Sequence, residues 1–117
     1  MIAGIGLDIV ELNRIAKLDA RSSKFRSRIL TLEELKIYDR LTDHRQIEFL
    51  AGRFAGKEAY AKANGTGIGT ACNFIDIEIL PEVSGKPVLY FKKSLVAGFV
   101  SITHTKTVAA AQVILLA

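Results

Sequence analysis

The chain has 117 residues and carries 16 Lys and Arg against 12 Asp and Glu, a net charge of +4. That size describes one small domain spanning residues 1–117, and the charge excludes an acidic solvating tail. Half the residues are apolar and only two are proline, which excludes intrinsic disorder and leaves enough material for a real core. The single cysteine, Cys72, has no partner for an internal disulfide. Residues 1–12 show neither the charged leader nor the apolar run of a signal peptide, and no apolar stretch approaches the roughly 18 residues of a membrane span. A cytoplasmic protein with no membrane association is expected. The positive balance calls for an anionic partner, and nucleic acid, a phosphorylated cofactor and an acidic protein all fit.

In chain order, Ile2 to Leu7 is an apolar run that predicts a buried strand delivering Asp8 at its end. Leu12, Ile15 and Leu18 then form one helical face, interrupted by residues 19–23. Thr31 with Glu34, and Asp43 with Gln46, each have the spacing of a capping box, so two helices should start there. The second is long. Ile47, Leu50, Ala51, Phe54, Glu58 and Ala61 follow a 3.6 period from about His44 to Asn64, and Gly65 reads as a left-handed stop. The period then changes to two, with Ile75, Ile77 and Ile79 alternating with Asp76 and Glu78. Ser84-Gly85-Lys86-Pro87 is turn chemistry leading into Val88 to Phe91, and strands over Leu95 to Thr103 and Val108 to Leu116 complete a C-terminal antiparallel sheet. The fold class is α+β, with the N-terminal strand joining or flanking the sheet. The last two strands are apolar on both faces, which suits one face to the helices and the other to another subunit.

Glu58 stands out because its helical neighbours on the same side, Phe54 and Ala61, place a carboxylate on the core-facing stripe. An unpaired buried carboxylate is costly. Its simplest partner is Lys62 at i,i+4; the alternative is a cation shared with Asp8, and two carboxylates with waters and a substrate phosphate suit magnesium. The run Gly65-Thr66-Gly67-Ile68-Gly69 follows a helix, so it is neither a Rossmann fingerprint nor a P-loop, and a helix stop accounts for it. Lys57 and Lys62 bracket Glu58 and can face an anion or solvent, His104 sits near a strand end, and Cys72 reads as an inert buried thiol. Arg14, Lys17, Arg21, Lys24 and Arg28 recur at alternating spacings of three and four; with Arg26 they give residues 14–28 six positive charges against Asp19 alone. Such a stripe suits an acidic partner or is simply a solvated face, and by itself it also fits a non-enzymatic binding module. With one aromatic, Phe25, and no base-reading module, it does not point to nucleic acid.

Several blocks together resemble a known family. Gly6-Leu7-Asp8-Ile9-Val10-Glu11-Leu12 with Arg14-Ile15, Arg53-Phe54-Ala55-Gly56-Lys57-Glu58-Ala59 with Lys62-Ala63 and Gly65-Thr66-Gly67-Ile68, Gly85-Lys86-Pro87, and Ser101-Ile102-Thr103-His104-Thr105 are similar to holo-[acyl-carrier-protein] synthases, the short bacterial type of 4′-phosphopantetheinyl transferase. The blocks come in the family's order and cover the chain. Thr103 stands where the family often has a second serine, and Gly56 fills a variable position. The resemblance implies transfer of the phosphopantetheine arm of coenzyme A to a serine of apo-acyl carrier protein, in support of fatty acid biosynthesis. It implies magnesium on Asp8 and Glu58, catalytic work by both and by Lys62, and a homotrimer with active sites between subunits. Lys57, Gly65, Thr66, Gly67, Ile68, Pro87, His104 and Thr105 would contact coenzyme A, and Arg14, Lys17, Arg21, Lys24 and Arg28 would dock the carrier. The base for the serine stays open between a water on the metal and Glu58 acting through water.

Overall fold

A computed structural model describes all 117 residues. Strand β1 (Ile2–Glu11) is followed by helices α1 (Leu12–Arg21), α2 (Lys24–Ile29), α3 (Leu32–Arg40) and α4 (His44–Asn64). A 3-10 turn at Phe74–Asp76 leads to β2 (Ile77–Pro81), β3 (Pro87–Phe91), β4 (Ser94–Leu95), β5 (Gly98–His104) and β6 (Val108–Leu116). The α+β expectation holds, and the long helix begins and ends at the residues its periodicity marked. At its end Gly65 adopts φ 83°, a left-handed conformation that glycine enters without steric cost, and its N–H donates to the Lys62 carbonyl at 3.1 Å. The Thr31–Glu34 capping box forms as its spacing requires.

Four expectations need correction. The strands make two three-stranded antiparallel sheets, β1-β6-β5 and β2-β3-β4, instead of one. The division falls after Leu95: the turn at Lys92 and Lys93 (φ 48° and 69°) folds β4 back onto β3, and residues 96–97 then leave that sheet, splitting the predicted strand over residues 95–103 into β4 and β5. β1 does not stop at Leu7, and it is not buried on both faces. Asp8 lies inside it, and Ile5, Leu7 and Ile9 are 57, 62 and 66 % exposed, because helix covers only one side of the strand. Ile75 lies in the 3-10 turn and is exposed, so the period-two pattern begins only at Ile77. Asp43 does not cap α4: its backbone turns to φ 50° with no side-chain bond, and Gln46 donates instead to the Tyr38 carbonyl at 3.1 Å.

The core lies between α4 and the inner face of the β1-β6-β5 sheet, where Leu50, Ala51, Ala55, Ala59, Ala109 and Val113 are fully buried. The closest approach is at β1. A methyl on Gly4 would strike the Ala63 carbonyl oxygen, and one on Gly6 the Ala59 carbonyl oxygen. The missing side chains therefore let strand backbone rest directly on helix backbone. This contact fixes the distance between β1 and the last turns of α4.

Candidate functional site

On β1, the inward-facing residues alternate Gly4, Gly6, Asp8, Val10, so the strand period that buries two glycines turns the Asp8 carboxylate toward α4. Glu58 and Lys62 lie one turn apart on that helix, which places both on the side that meets Asp8. Lys62 Nζ donates to Asp8 Oδ1 at 3.1 Å and to the Leu7 carbonyl at 3.0 Å. Its ion pair is thus with Asp8 across the interface, and not with Glu58 along the helix. Asp8 is mostly shielded and Lys62 is about half exposed, so the pair sits at a rim open to a ligand.

Glu58 is half-buried, and its proton affinity is pushed above the ordinary carboxylate range by burial first and by the negative charge of Asp8 second. Lys62 and Arg14 pull it the other way. Asp8 and Glu58 feel one another's charge, and carboxylate oxygens are the donors that a hard divalent cation accepts. Magnesium is bound in this manner, through one or two carboxylates with the remaining positions left to water and substrate phosphate.

Gly65, Thr66, Gly67 and Ile68 follow the last turn of α4 directly, beyond Lys62, and the first three are exposed. Gly67 N–H closes back onto the Ala61 carbonyl at 3.1 Å, so the segment ends the helix. Pro87 opens β3 in the other sheet. His104 and Thr105 lie at the far end of β5, where His104 Nδ1 is 3.4 Å from Glu48, which also approaches His44 at 3.3 Å. His104 pairs with Ala109, which pairs with Val10, so it stands two strands, about 10 Å, across the sheet from β1, and its contact is with Glu48 instead of Asp8. Thr105 Oγ1 accepts from the Thr107 and Val108 N–H groups and shapes the β5–β6 turn.

Lys57 does not face an anion or solvent, contrary to the expectation. Its side chain is fully buried, its Nζ lies 2.6 Å from Glu34 Oε1 and 2.7 Å from the Ile29 carbonyl, and it offers nothing to a ligand. Burial lowers its proton affinity while Glu34 opposes that shift. Adjacent helical residues point about 100° apart, so facing Glu58 toward β1 turns Lys57 toward α3 and β2. Glu34 also accepts from the Thr31 and Ile79 N–H groups at 2.9 and 2.8 Å, which makes it a fully satisfied buried acid. Nothing in the sequence marked this pairing, because the partners are 23 residues apart.

The basic residues divide between two helices. Arg14, Lys17 and Arg21 line an open groove of about 420 Å³ on α1, and Arg14 also covers the Phe54 ring at 5.9 Å. Lys24 and Arg28 project from α2, beyond the extended break at Ser22. Arg26 is not part of that surface: it forms a two-pronged pair with Asp19. A larger cavity of about 700 Å³, between α3, the 3-10 turn and the β3–β4 turn, contains none of these groups. The Cys72 thiol is buried, and burial pushes its proton affinity up, in keeping with an inert side chain.

Residues 4–114 match the family profile described as the 4′-phosphopantetheinyl transferase superfamily. The chain is 56 % identical over 116 residues to the holo-[acyl-carrier-protein] synthase of Bacillus subtilis, covering 98 % of this chain and 96 % of the relative. It resembles the crystal structure of a holo-(acyl-carrier-protein) synthase from Bacillus anthracis in complex with CoA (3′,5′-ADP) at 50 % identity and TM-score 0.87, covering 98 and 96 % of the two chains. The synthase structure from Neisseria meningitidis is similar at 36 % identity and TM-score 0.89 over the whole of both chains.

Proposed function

The chain belongs to the 4′-phosphopantetheinyl transferase superfamily, in its holo-[acyl-carrier-protein] synthase family, and on that premise we propose the part each residue plays in the reaction. It transfers the phosphopantetheine arm of coenzyme A to a serine of apo-acyl carrier protein. The serine oxygen bonds to the β-phosphorus, the bond from that phosphorus to the bridging oxygen breaks, and adenosine 3′,5′-bisphosphate leaves. The observation that carries the residue assignment is the meeting of Asp8, Glu58 and Lys62 across the β1–α4 contact.

Asp8 and Glu58 would hold magnesium, which when bound neutralises pyrophosphate charge and keeps the reacting groups in line. Lys62, half exposed in the last turn of α4, stabilises or protonates the departing phosphate, and a cation at a helix C-terminus is favoured by the helix dipole. Glu58 is placed to receive the serine proton through an intervening water. The Gly65–Ile68 segment borders the phosphates, and the pantetheine and nucleotide contacts continue onto Pro87, His104 and Thr105. Arg14, Lys17, Arg21, Lys24 and Arg28 dock an acidic carrier protein.

The assembly that suits this reading is a homotrimer. Ile5, Leu7, Ile9 and Phe99 put an apolar patch on the outer face of the β1-β6-β5 sheet, joined by the register Ile5–Ile114–Phe99, beside the polar Ser101, Thr103 and Gln112 on β5 and β6. Covering it with neighbouring subunits removes a large patch from water. It also lets one subunit supply His104 and Thr105 to the Asp8 site of the next, which supports active sites between subunits. The setting is the cytoplasm and the pathway fatty acid biosynthesis; no helix is long and apolar enough to cross a membrane.

The test is incubation with coenzyme A, magnesium and a panel of apo-carrier proteins, followed by carrier mass. A phosphopantetheine mass increment is expected with the wild-type chain and none with Asp8→Asn or Glu58→Gln. A panel of carriers that all stay unmodified overturns the reaction, and full turnover by either variant overturns the residue assignment.

A further inference from the structure

Helix α2 has only six residues and no side-chain cap at Ser23. Such a segment does not hold itself together in water. At its C-terminal end, buried Lys57 donates to the Ile29 carbonyl at 2.7 Å. Its other anchor is Arg26, whose Nε donates to Asp19 Oδ1 at 2.8 Å and whose Nη2 donates to Asp19 Oδ2 at 3.1 Å. Tyr38 Oη of α3 donates to the same Asp19 Oδ2 at 2.7 Å, and the Arg26 guanidinium lies 4.9 Å over the Tyr38 ring. One carboxylate on α1, 5 % exposed, therefore ties three helices together. A two-pronged arginine–carboxylate pair fixes orientation as well as distance, because both planar groups must align.

The placement of this node is informative. Asp19 is the only acid between residues 14 and 28, a stretch whose outward charges are Arg14, Lys17 and Arg21 on α1 and Lys24 and Arg28 on α2. An exposed acid there would weaken attraction for an anionic partner. Buried against Arg26, it neutralises that one charge and leaves the five outward ones intact, and it sets the angle at which the two groups of positive charge face outward. Recognition between charged proteins depends on that arrangement as well as on the number of charges.

We propose that Asp19, Arg26 and Tyr38 form a positioning node that holds the basic faces of α1 and α2 in one geometry, and so governs recognition of the acidic carrier protein without touching it. The inference rests on the carrier-docking reading given above.

The deciding variant is Arg26→Lys, which keeps the charge and removes the fork. Steady-state rates are measured with carrier protein and coenzyme A varied separately and at several salt concentrations. The KM for carrier should rise on the order of five- to tenfold, as when one or two charge pairs across an interface are lost. The KM for coenzyme A should stay within about twofold, and kcat/KM for carrier should depend less steeply on salt. Asp19→Asn should behave alike. If Arg26→Lys leaves the carrier KM unchanged, or moves both KM values together, the node is only structural and the inference fails. Should neither variant fold, Tyr38→Phe removes one bond and keeps the fork: a smaller rise confined to the carrier KM is expected, and an unchanged carrier KM refutes the node. Arg14→Ala with Arg21→Ala tests the docking reading by itself: an unchanged carrier KM in that variant overturns the reading, whatever Arg26→Lys does.

Discussion

Gly6→Ala probes the contact that sets the site. The added methyl would lie on the carbonyl oxygen of Ala59 and only 2.8 Å from both the Ala59 carbonyl carbon and the Ala63 nitrogen. Carbon–carbon contacts settle near 3.5–4.0 Å, and helix backbone has no rotamer with which to yield, so β1 must withdraw by about 1 Å. Asp8 is two residues further along the same face, and its 3.1 Å bond to Lys62 would stretch beyond hydrogen-bonding range. Overpacking of this kind costs roughly 1–3 kcal/mol, which for a domain of this size lowers the melting temperature by roughly 5–15 °C at fixed protein concentration. A misplacement of about 1 Å between reacting groups costs on the order of a hundredfold in rate. The assay is the initial rate of carrier mass increase at saturating coenzyme A and carrier, paired with thermal melting of the same preparation. Gly69→Ala is the stability control, since a methyl there meets nothing within 4 Å and the melting temperature should stay in place. A Gly6→Ala protein that melts and turns over like wild type would refute the claim that strand–helix contact positions Asp8.

Glu58→Gln should end turnover and yet raise the melting temperature near neutral pH in metal-free buffer. The folded state holds this carboxyl's proton more tightly than the unfolded state does, so ionising it costs stability as pH rises above the ordinary glutamate range. The advantage of the variant should therefore shrink as pH falls to about 4, and an advantage that grows on acidification would show the sign to be wrong. Lys57→Met strands Glu34 in the core and should lower unfolding stability by roughly 3–5 kcal/mol in urea titrations. Adding Glu34→Gln should recover part of that loss, and strict additivity of the two substitutions would contradict a coupled pair. Leu7→Asp places a charge on the apolar outer face of β1 and should dissociate the proposed trimer with loss of rate; a wild-type chain that sediments as a monomer at assay concentration refutes the trimer itself.

The elements most legible in the sequence are those whose signals are local. The 3.6-residue period and the Gly65 stop define α4, and the Thr31–Glu34 spacing defines the start of α3, because each depends on neighbours within a few residues. Asp8 and Glu58 were legible individually, one beside a strand pattern and one on an apolar stripe. A shared cation requires them to meet, but the contact that lets them do so is not legible, since it depends on two glycines bringing β1 onto α4. Lys57 is not free for a ligand for the same reason: its partner is brought near only by tertiary packing, and a lysine beside a helical glutamate has the same local pattern whether it faces solvent or Glu34. Asp43 had the spacing of a cap, but its backbone is set by the α3–α4 turn and points the side chain away. The chain changes sheet at residues 96–97, after a turn at Lys92 and Lys93 has returned β4 onto β3 with left-handed backbone that no glycine announces.

β1 also implies a pattern of mutational tolerance. Positions 4 and 6 admit no atom beyond hydrogen and, under the proposed metal role, position 8 must stay an acid, whereas Ile5, Leu7 and Ile9 need only remain apolar and can exchange among Ile, Leu, Val and Met. Substitution across this strand should therefore alternate between intolerance and freedom with every step of the chain. Drift on the odd positions would then reshape the outer face of the sheet while the even ones hold β1 against α4.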